Sequence, residues 1–374
     1  MRIAILGAGP AGLYLAALIK RRRPDAVVTV VEQNRADITS GFGVVLTDRA
    51  LAVLRDRDPE AAAAIASHVQ TTSGLTVVHR NERIVIDGIG VAAIGRLKLV
   101  QVLQQLVQAA GVAVQYGRAV TALDELGEAD LVVGADGADS LVRRTYPEAF
   151  GTVVTMLPNR FAWFGTSQTY ATLTQTFRMT PIGAFAAHHF SYAPGRSSFI
   201  VEMDEAAYAR NFERLADAES RALCEKVFAD ALGGRPLIAN NSAWRQFALV
   251  QTARWHHGRH VLIGDAARTA HFSTGAGIQL ALEDAVALDR ALAAQGDDVD
   301  AALPAFAAAR RPAADKIVAA ATASAAWYAG LAEHMQLAPA DLAMSYMMRT
   351  GRLDIDRLRQ ISPQFSAFHA REYR

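Results

Sequence analysis

The sequence has a single cysteine, Cys224, in 374 residues. An intramolecular disulfide and a cysteine-rich metal site are therefore excluded, and no metal is expected. An excess of one charge sign is missing too. Lys and Arg number 38 against 37 Asp and Glu, a formal net charge of +1, so neither nucleic acid nor an acidic polymer is an expected partner. No apolar run is long enough to span a bilayer. Residues 317–332 carry no charge, but they are alanine-rich, interrupted by Thr322 and Ser324, and short for a membrane helix. A packed helix is the expectation there, and no membrane. Internal repeats are absent. The first strand begins almost at the first residue, so a cleaved signal peptide would destroy it, and the expected location is cytoplasmic. What is present is apolar bulk. The chain is 51% hydrophobic and 20% charged, enough for a large core and more than one lobe.

The first 32 residues carry the clearest local pattern. Residues 1–6 read as a buried strand, Gly7, Gly9 and Gly12 follow it, residues 13–23 have helical apolar spacing, and residues 26–31 form a second β-branched strand ending in Glu32. This is the strand–turn–helix–strand context of a dinucleotide fingerprint. Gly7 permits the tight turn, Gly9 lets backbone approach a pyrophosphate, and Gly12 lets helix and strand pack closely. Pro10 and Ala11 open the helix, whose free N–H groups and positive dipole end suit phosphate. Glu32 lies about 20 residues after Gly12, placed for a ribose hydroxyl. At this point the dinucleotide can be NAD(P) or FAD.

Further along, Gly41 and Gly43 flank Phe42 and can bring backbone close to a ligand. Thr47 or Asp48 caps a helix, and residues 61–67 continue as helix. Residues 74–79 and 83–87 alternate like a short strand pair turning at Asn81-Glu82. Residues 96–110 form an amphipathic helix with Leu99, Val102, Leu103, Leu106 and Val107 on one face. Residues 112–116, 119–123 and 131–134 read as strands. The middle is aromatic and β-rich over 161–165, 172–179, 183–192 and 197–203, which predicts one antiparallel sheet. Residues 204–232 read as helical and 247–252 as a strand. A buried strand then returns at 260–263, with helices over 278–292, 304–332 and 335–368. The arginines Arg21, Arg22, Arg23, Arg349, Arg352, Arg357 and Arg359 read as solvated faces.

Two more motifs decide between the cofactors by resemblance. Gly134-Ala135-Asp136-Gly137-Ala138-Asp139-Ser140 resembles the Asp-Gly motif of the single-component (group A) FAD-dependent aromatic monooxygenases. Gly264-Asp265-Ala266-Ala267-Arg268, continuing to Gly275-Ala276-Gly277 and Glu283-Asp284-Ala285, resembles their second FAD motif. With the opening motif they occur in the family's order over nearly the whole chain. Residues 160–166, Ala187-His188, 198–202 and 269–275 narrow the resemblance to the branch of the salicylyl-CoA and 2-aminobenzoyl-CoA hydroxylases and the violacein-pathway indole hydroxylase. Residues 349–358 are most similar to the CoA-ester members. One departure is Arg268, where the family usually has His, followed by a stretch without proline.

The resemblance implies an α/β (α+β overall) fold. A GR2-type Rossmann-like FAD-binding lobe would be built from residues 1–75, 96–157 and 257–310. An inserted antiparallel substrate sheet would come from 76–95 and 158–256, and a helical tail from 311–374. It implies bound FAD, NAD(P)H as reductant and O2 as co-substrate, and hydroxylation through a flavin C4a-hydroperoxide. Cofactor contacts would come from Gly7, Gly9, Pro10, Ala11, Gly12, Glu32, Arg96, Asp136, Gly264, Asp265, Gly275, Ala276, Gly277 and Ile278. Asp265 would accept ribityl hydroxyls, and the helix after Gly277 would favour negative charge on the flavin edge.

The substrate would be a small aromatic, a hydroxy- or amino-substituted benzoyl unit (CoA thioester or free acid) or an indole. Trp163, Phe164, Phe177, His188 and His271 are the candidate pocket, with Phe185 and Phe190 as further walls and Tyr170, Arg178 and Tyr192 as weaker candidates. His188 is the candidate catalytic group, able to bind or deprotonate a ring hydroxyl or amine. His189 should face the other way. A monomer or homodimer is expected. Competing readings are an NAD-dependent dehydrogenase, a flavoprotein reductase and a flavin-dependent halogenase. The Trp-x-Trp-x-Ile-Pro signature of tryptophan halogenases is absent.

Overall fold

The computed structural model describes residues 1–372. Its two sheets meet along one cleft. The first sheet has six strands in the order His256–His257, His260–Leu262, Leu131–Gly134, Arg2–Leu6, Val27–Glu32 and Val114–Tyr116, parallel except at the His256–His257 edge. Its central strands are β-branched and buried on both sides, as a parallel sheet covered by helices requires; Ile5, Val30, Leu131 and Val133 are all fully buried. Helix Pro10–Arg22 packs between Arg96–Ala109 and Gly277–Ala294.

The second sheet runs in the order Leu237–Ile238, Thr152–Thr166, Arg196–Met203, Gly183–Ala193, Leu173–Thr180, Gln70–His79, Glu82–Gly95 and Gly43–Leu46, and Arg245–Thr252 pairs with the stretch from Thr152 to Phe161. It departs from the expected antiparallel sheet at one place. Gln70–His79 runs parallel to Leu173–Thr180, with Leu75 opposite Leu173 and Val78 opposite Thr176. The strand pair expected at 74–87 is also longer, reaching Gly95, and turns on Arg80 and Asn81 in left-handed conformation.

Three other expectations change. Residues 119–123 are not a strand, because the N–H groups of Thr121 and Ala122 are taken by the Glu125 carboxylate (2.9 and 3.0 Å) rather than by a neighbouring strand. Residues 204–232 break into Glu205–Asn211, Asp217–Val227 and Ala229–Leu232. The arginines are not all solvated. Arg21 pairs with the buried Asp58, and Arg22 reaches Asp289 (2.8 Å) and Asp297 (3.1 Å) at the end of their helix. Arg349 turns inward, as described below.

The long helix Val299–Ala329 contains both Pro304 and Pro312. It is followed by tail helices Pro339–Met348, Ile355–Ile361 and Pro363–Glu372. Tyr346, Leu358 and Phe365 of the tail share a core with Val77, Ile86 and Phe177 of the second sheet. Cys224 is fully buried. Among the described residues no helix is long and apolar enough to cross a membrane.

Candidate active site

Two helices begin at the same cleft, and neither has a side-chain cap. The helix Pro10–Arg22 starts after Gly9, and Gly277–Ala294 starts after Ala276. Their first backbone N–H groups therefore remain available to a ligand, with both positive dipole ends aimed at it. The cleft has a volume of about 620 Å³ and is lined from Gly7 and Glu32 at one end to Trp163, Phe190 and Phe247 at the other.

At the first helix the glycines are fixed by contact. A Cβ on Gly7, whose φ is +102°, would lie 2.4 Å from the Ala135 carbonyl oxygen. One on Gly12 would lie 2.1 Å from the Gly7 carbonyl oxygen, and Gly12 itself is buried behind the cleft. Gly9 has open space in front of it, its nearest neighbour 4.0 Å away. Gly9, Pro10 and Ala11 line the cleft. Glu32 closes the far side of this loop, accepting from the N–H of Ala8 (2.9 Å) and of Asn34 (2.8 Å).

Asp136 lies beside them. Its Oδ2 accepts from the Leu141 N–H at 2.6 Å, while its buried Oδ1 has no partner. Burial pushes this carboxyl up, against the hydrogen bonds from Ser140 and Leu141. Arg143 ties the two motifs together by donating to the carbonyl of Ala266 (2.8 Å) and to that of Ala138.

At the second helix, Gly264, Asp265, Gly275, Gly277 and Ile278 line the cleft, as does Arg96 across from them. Ala276, between them, is buried and does not line the cleft. Asp265 is exposed and lines the cleft. Desolvation within the cleft raises its carboxyl, and the positive fields of Arg268 and Arg96 oppose the rise. Burial likewise lowers Arg96, with Asp265 opposing. The unusual Arg268 points out of the cleft: it donates to the Gly264 carbonyl (2.8 Å), pairs with Asp284, and its guanidinium lies 4.8 Å from the Trp255 ring centre. Asp284 in turn accepts from the Gly264 N–H at 2.9 Å. Arg268 thus braces the loop from below and does not line the cleft.

The opposite wall is aromatic. Phe161, Trp163, Phe190, Ile200, Phe247 and Phe272 face the cleft. Gly41 lies against the Trp163 ring, and Gly43 is pressed to Tyr192 so closely that a Cβ would come within 2.3 Å. Three expected wall residues lie elsewhere: Phe185 is fully buried in the core on the far face of the sheet, and Phe164 and Phe177 also miss the cleft. Phe164 follows Trp163 on the strand and so points to the other face, into the core around Phe185 and Phe199. Phe177 is fully buried against Trp327 and Tyr346.

His188 and His271 also do not line the cleft. His188 shares the cleft-side face with Ile200 and Phe190, but it lies behind the Phe272 ring (centres 5.5 Å apart) and against Tyr328 (4.9 Å). His271 is 4.2 Å from the same Phe272 ring, and its Nδ1 is 2.8 Å from Ser273 Oγ. Burial pushes His271 down to about 4 and His189, on the opposite face, down to about 3. Phe272, Phe247, Arg245 and Asn240 were not anticipated as cleft residues. The signal available for Phe247 and Arg245 was strand alternation, since they stand two apart.

The donor set fits a dinucleotide bearing a diphosphate. It offers two open helix ends, an acidic side chain at the end of the second strand, glycines where a Cβ would collide, and an unpaired buried carboxylate oxygen.

The comparisons with known proteins agree with this geometry. A family described as the FAD binding domain matches residues 1–129 and 124–321. The chain is similar to salicyloyl-CoA 5-hydroxylase of a Streptomyces species, 37% identical across 94% of this chain and 70% of that protein. It is 36% identical to 3-hydroxy-4-methyl-anthranilyl-[aryl-carrier protein] 5-monooxygenase of Streptosporangium sibiricum, across 88% of this chain and 90% of the other. It is 32% identical to protodeoxyviolaceinate monooxygenase of Chromobacterium violaceum, across 93% and 94%. Among solved structures, the tetrameric form of 2-methyl-3-hydroxypyridine-5-carboxylic acid oxygenase superposes with a TM-score of 0.71 at 20% identity, covering 96% of this chain and 95% of that one. That last likeness speaks for the fold alone.

Proposed function

This chain belongs to the FAD binding domain family, and from that premise we propose that it hydroxylates an electron-rich aromatic ring, with FAD as bound cofactor, NAD(P)H as reductant and O2 as co-substrate. The observation that carries the reading is the cleft itself. One of its walls is two open helix ends, and the other is an aromatic sheet. Bound FAD would take a hydride from reduced nicotinamide and activate O2 to donate one oxygen atom to the ring.

The chain's own residues supply the setting for that chemistry. The N–H groups after Gly9 would hold the diphosphate, and Glu32 the adenosine ribose. Asp265 would hold the ribityl chain, with Arg96 opposite. The backbone from Gly275 to Ile278 would meet the flavin pyrimidine edge, where the helix dipole favours negative charge. Phe161, Trp163, Phe190 and Phe272 would clamp the substrate ring and exclude water, which protects the activated oxygen from wasteful decay. The walls are apolar, and the polar groups are few and fixed, as a pocket for a flat ring requires.

We rank a hydroxy- or amino-substituted benzoyl group carried as a thioester first among substrates, its free acid next, and an indole third. Two relatives, 37% and 36% identical, are named for a salicyloyl-CoA and for a carrier-bound anthranilyl group, which supports that order. The test is stopped-flow reduction of the holoenzyme's flavin by NADH and NADPH across a panel of such aromatics, with product analysis under O2. A substrate should accelerate reduction and yield a hydroxylated ring. Flavin reduction that no aromatic accelerates, with no hydroxylated product, would overturn the reading and favour a plain flavoprotein reductase.

A further inference from the structure

Behind Phe272 lies a buried polar cluster that the cleft does not reach. Glu202 stands at its centre, 1% exposed. Its Oε1 accepts from the Asn159 amide at 2.8 Å, and its Oε2 lies 3.4 Å from His188 Nε2. Asn159 also donates to the Tyr328 carbonyl at 3.0 Å. Around His188 stand Gln175 and Ile200 on the two neighbouring strands, Glu202, the Phe272 ring and Tyr328 of the long helix, while the charged Arg349 of the tail acts on His271 and Tyr328. Burial opposes a charge on Glu202, but the hydrogen bond from His188, the fields of His271 and His188, and the Asn159 amide hold its carboxyl below the usual range. Burial keeps His271 neutral, reinforced by His188 and Arg349 against Glu202. Glu202 therefore carries the cluster's carboxylate, with the His188 ring beside it.

Buried carboxylates are expensive, and natural chains keep them only where they are paired or used. The pairing here is asymmetric. His188 Nε2 faces Glu202, which fixes the ring tautomer with hydrogen on that nitrogen. Nδ1 is then the acceptor, and the hydrogen bond that His188 makes within the described residues runs through Nε2 to Glu202. The ring is 5% exposed, on the cleft side of its sheet, and the Phe272 side chain stands between it and the cleft. The Phe272 side chain is held by tilted and edge-on ring contacts with Phe161 (4.7 Å), Phe247, His271 and His188, so it can turn without breaking a hydrogen bond.

Resting on the hydroxylase reading, we propose that Glu202 is a positioning residue that sets His188 to accept a proton, through Nδ1, from the hydroxyl or amine of the substrate ring once the Phe272 ring has turned aside. In that step the substrate O–H or N–H bond breaks. Its electron pair stays on the substrate heteroatom, enriching the ring for attack, and the proton moves to Nδ1. The new imidazolium faces the Glu202 carboxylate, so the pair goes from one negative charge to none. No oxidant or reductant takes part, and the proton returns when product leaves. A carboxylate behind the base stabilises its charged form and fixes its orientation, as in other acid–base relays.

The test uses the holoenzyme with oxidised flavin, no reductant, and salicyloyl-CoA as probe. Binding is read from the flavin spectrum, and ionisation of the bound phenol from its ultraviolet absorbance as pH is varied. Glu202→Gln keeps an oxygen for His188 to donate to but removes the charge. Its bound phenol should ionise about one pH unit higher, a tenfold change in equilibrium. The low-pH limb of kcat/KM should move with it, and kcat should fall more than KM changes. Coincident ionisation curves and coincident pH limbs in Glu202→Gln and wild type, with only thermal stability altered, would overturn the proposal. Phe272→Ala supplies a measurement that needs no turnover. Diethyl pyrocarbonate, with the modified histidine identified by mass spectrometry, should modify His188 severalfold faster in this variant than in wild type; equal rates would remove Phe272 as the partition and overturn the proposal. Failure of the probe and of its 2-amino analogue to perturb the flavin would count against the hydroxylase reading itself, which binding with unchanged ionisation would leave standing.

Discussion

Arg268 and Asp284 form a buried ion pair, Nη1 to Oδ2 at 2.7 Å, beneath the loop that carries Asp265. Asp284 is shared: Arg310 Nε lies 2.8 Å from its Oδ1, and the Gly264 N–H donates to its Oδ2. Replacing Asp284 by Ala leaves two guanidinium groups buried without that carboxylate. Breaking one partner of such a network costs about 3–5 kcal/mol. Urea unfolding of Asp284→Ala should show a loss of that order, with weaker FAD retention because Gly264 loses its brace. A loss below about 1 kcal/mol, the size of a surface pair, would show that the network is not what holds the loop.

The glycines differ in what they protect. Gly12→Ala would drive a Cβ to 2.1 Å from backbone, so strand and helix must separate, and both stability and FAD affinity should fall. Gly277→Ala meets nothing within 4 Å in the protein, and Ala suits a helix start better than Gly. It should fold at least as well as wild type. If it nonetheless loses FAD affinity in a fluorescence titration, the crowding comes from the ligand. Unchanged affinity would move the flavin edge away from Gly277.

Stability should fall in acid for a specific reason. His271 and His189 are held neutral, at about 4 and about 3 against an ordinary 6.5. The unfolded chain binds these protons first as pH drops. Their contribution is fully present above 6.5 and is lost as pH falls from there toward 4 and 3, at roughly 1.4 kcal/mol for each unit of separation. Urea midpoints measured down that range should fall, and His189→Gln should fall less steeply than wild type. Parallel curves would show that His189 is not buried as described.

Arg349 was read from the sequence as a solvated arginine, and the structure places it indoors. It donates to Ser324 Oγ and to the Ser273 carbonyl, both at 3.0 Å, and its guanidinium lies 3.7 Å from the Tyr346 ring centre. Ser273 stands two residues before Gly275, so this tail residue holds the turn that feeds the second helix. Arg349→Ala should cost about 2 kcal/mol, the range for hydrogen bonds to a charged group, and raise the Kd for FAD. Arg352→Ala, at an exposed position, should stay within about 0.5 kcal/mol. Equal effects in the two variants would refute the distinction.

How much was legible follows from the range of each interaction. The FAD motifs are local: a glycine and its turn sit in adjacent residues, and their order along the chain already indicated the family to which the comparisons assign it. The aromatic wall is not local. Strand alternation says that Trp163 and Phe164 face opposite ways, but only the pairing across the sheet says which of them meets the cleft. Phe177 was misplaced for the same reason, since the tail helices that bury it lie far along the chain. His188 was assigned to the correct face. Its concealment depends on the short helical turn Phe272–Thr274, which brings the Phe272 ring against it. No spacing rule announces that.

The parallel pairing of Gln70–His79 with Leu173–Thr180 bears on the order in which this chain can be assembled as it is made. The first sheet also waits, since Leu131–Gly134 gains its outer neighbour only at His260–Leu262. Neither sheet is complete until about seven-tenths of the chain has left the ribosome, and the opening glycine loop has no second wall until then. Contacts this distant are slow to form, and the unpaired edges of Gln70–His79 and Leu131–Gly134 must wait exposed during synthesis. A chimaera that exchanges only the central strands would cut this sheet at its one parallel seam, so substrate preference cannot be transplanted as a cassette without carrying residues 70–95 along with it.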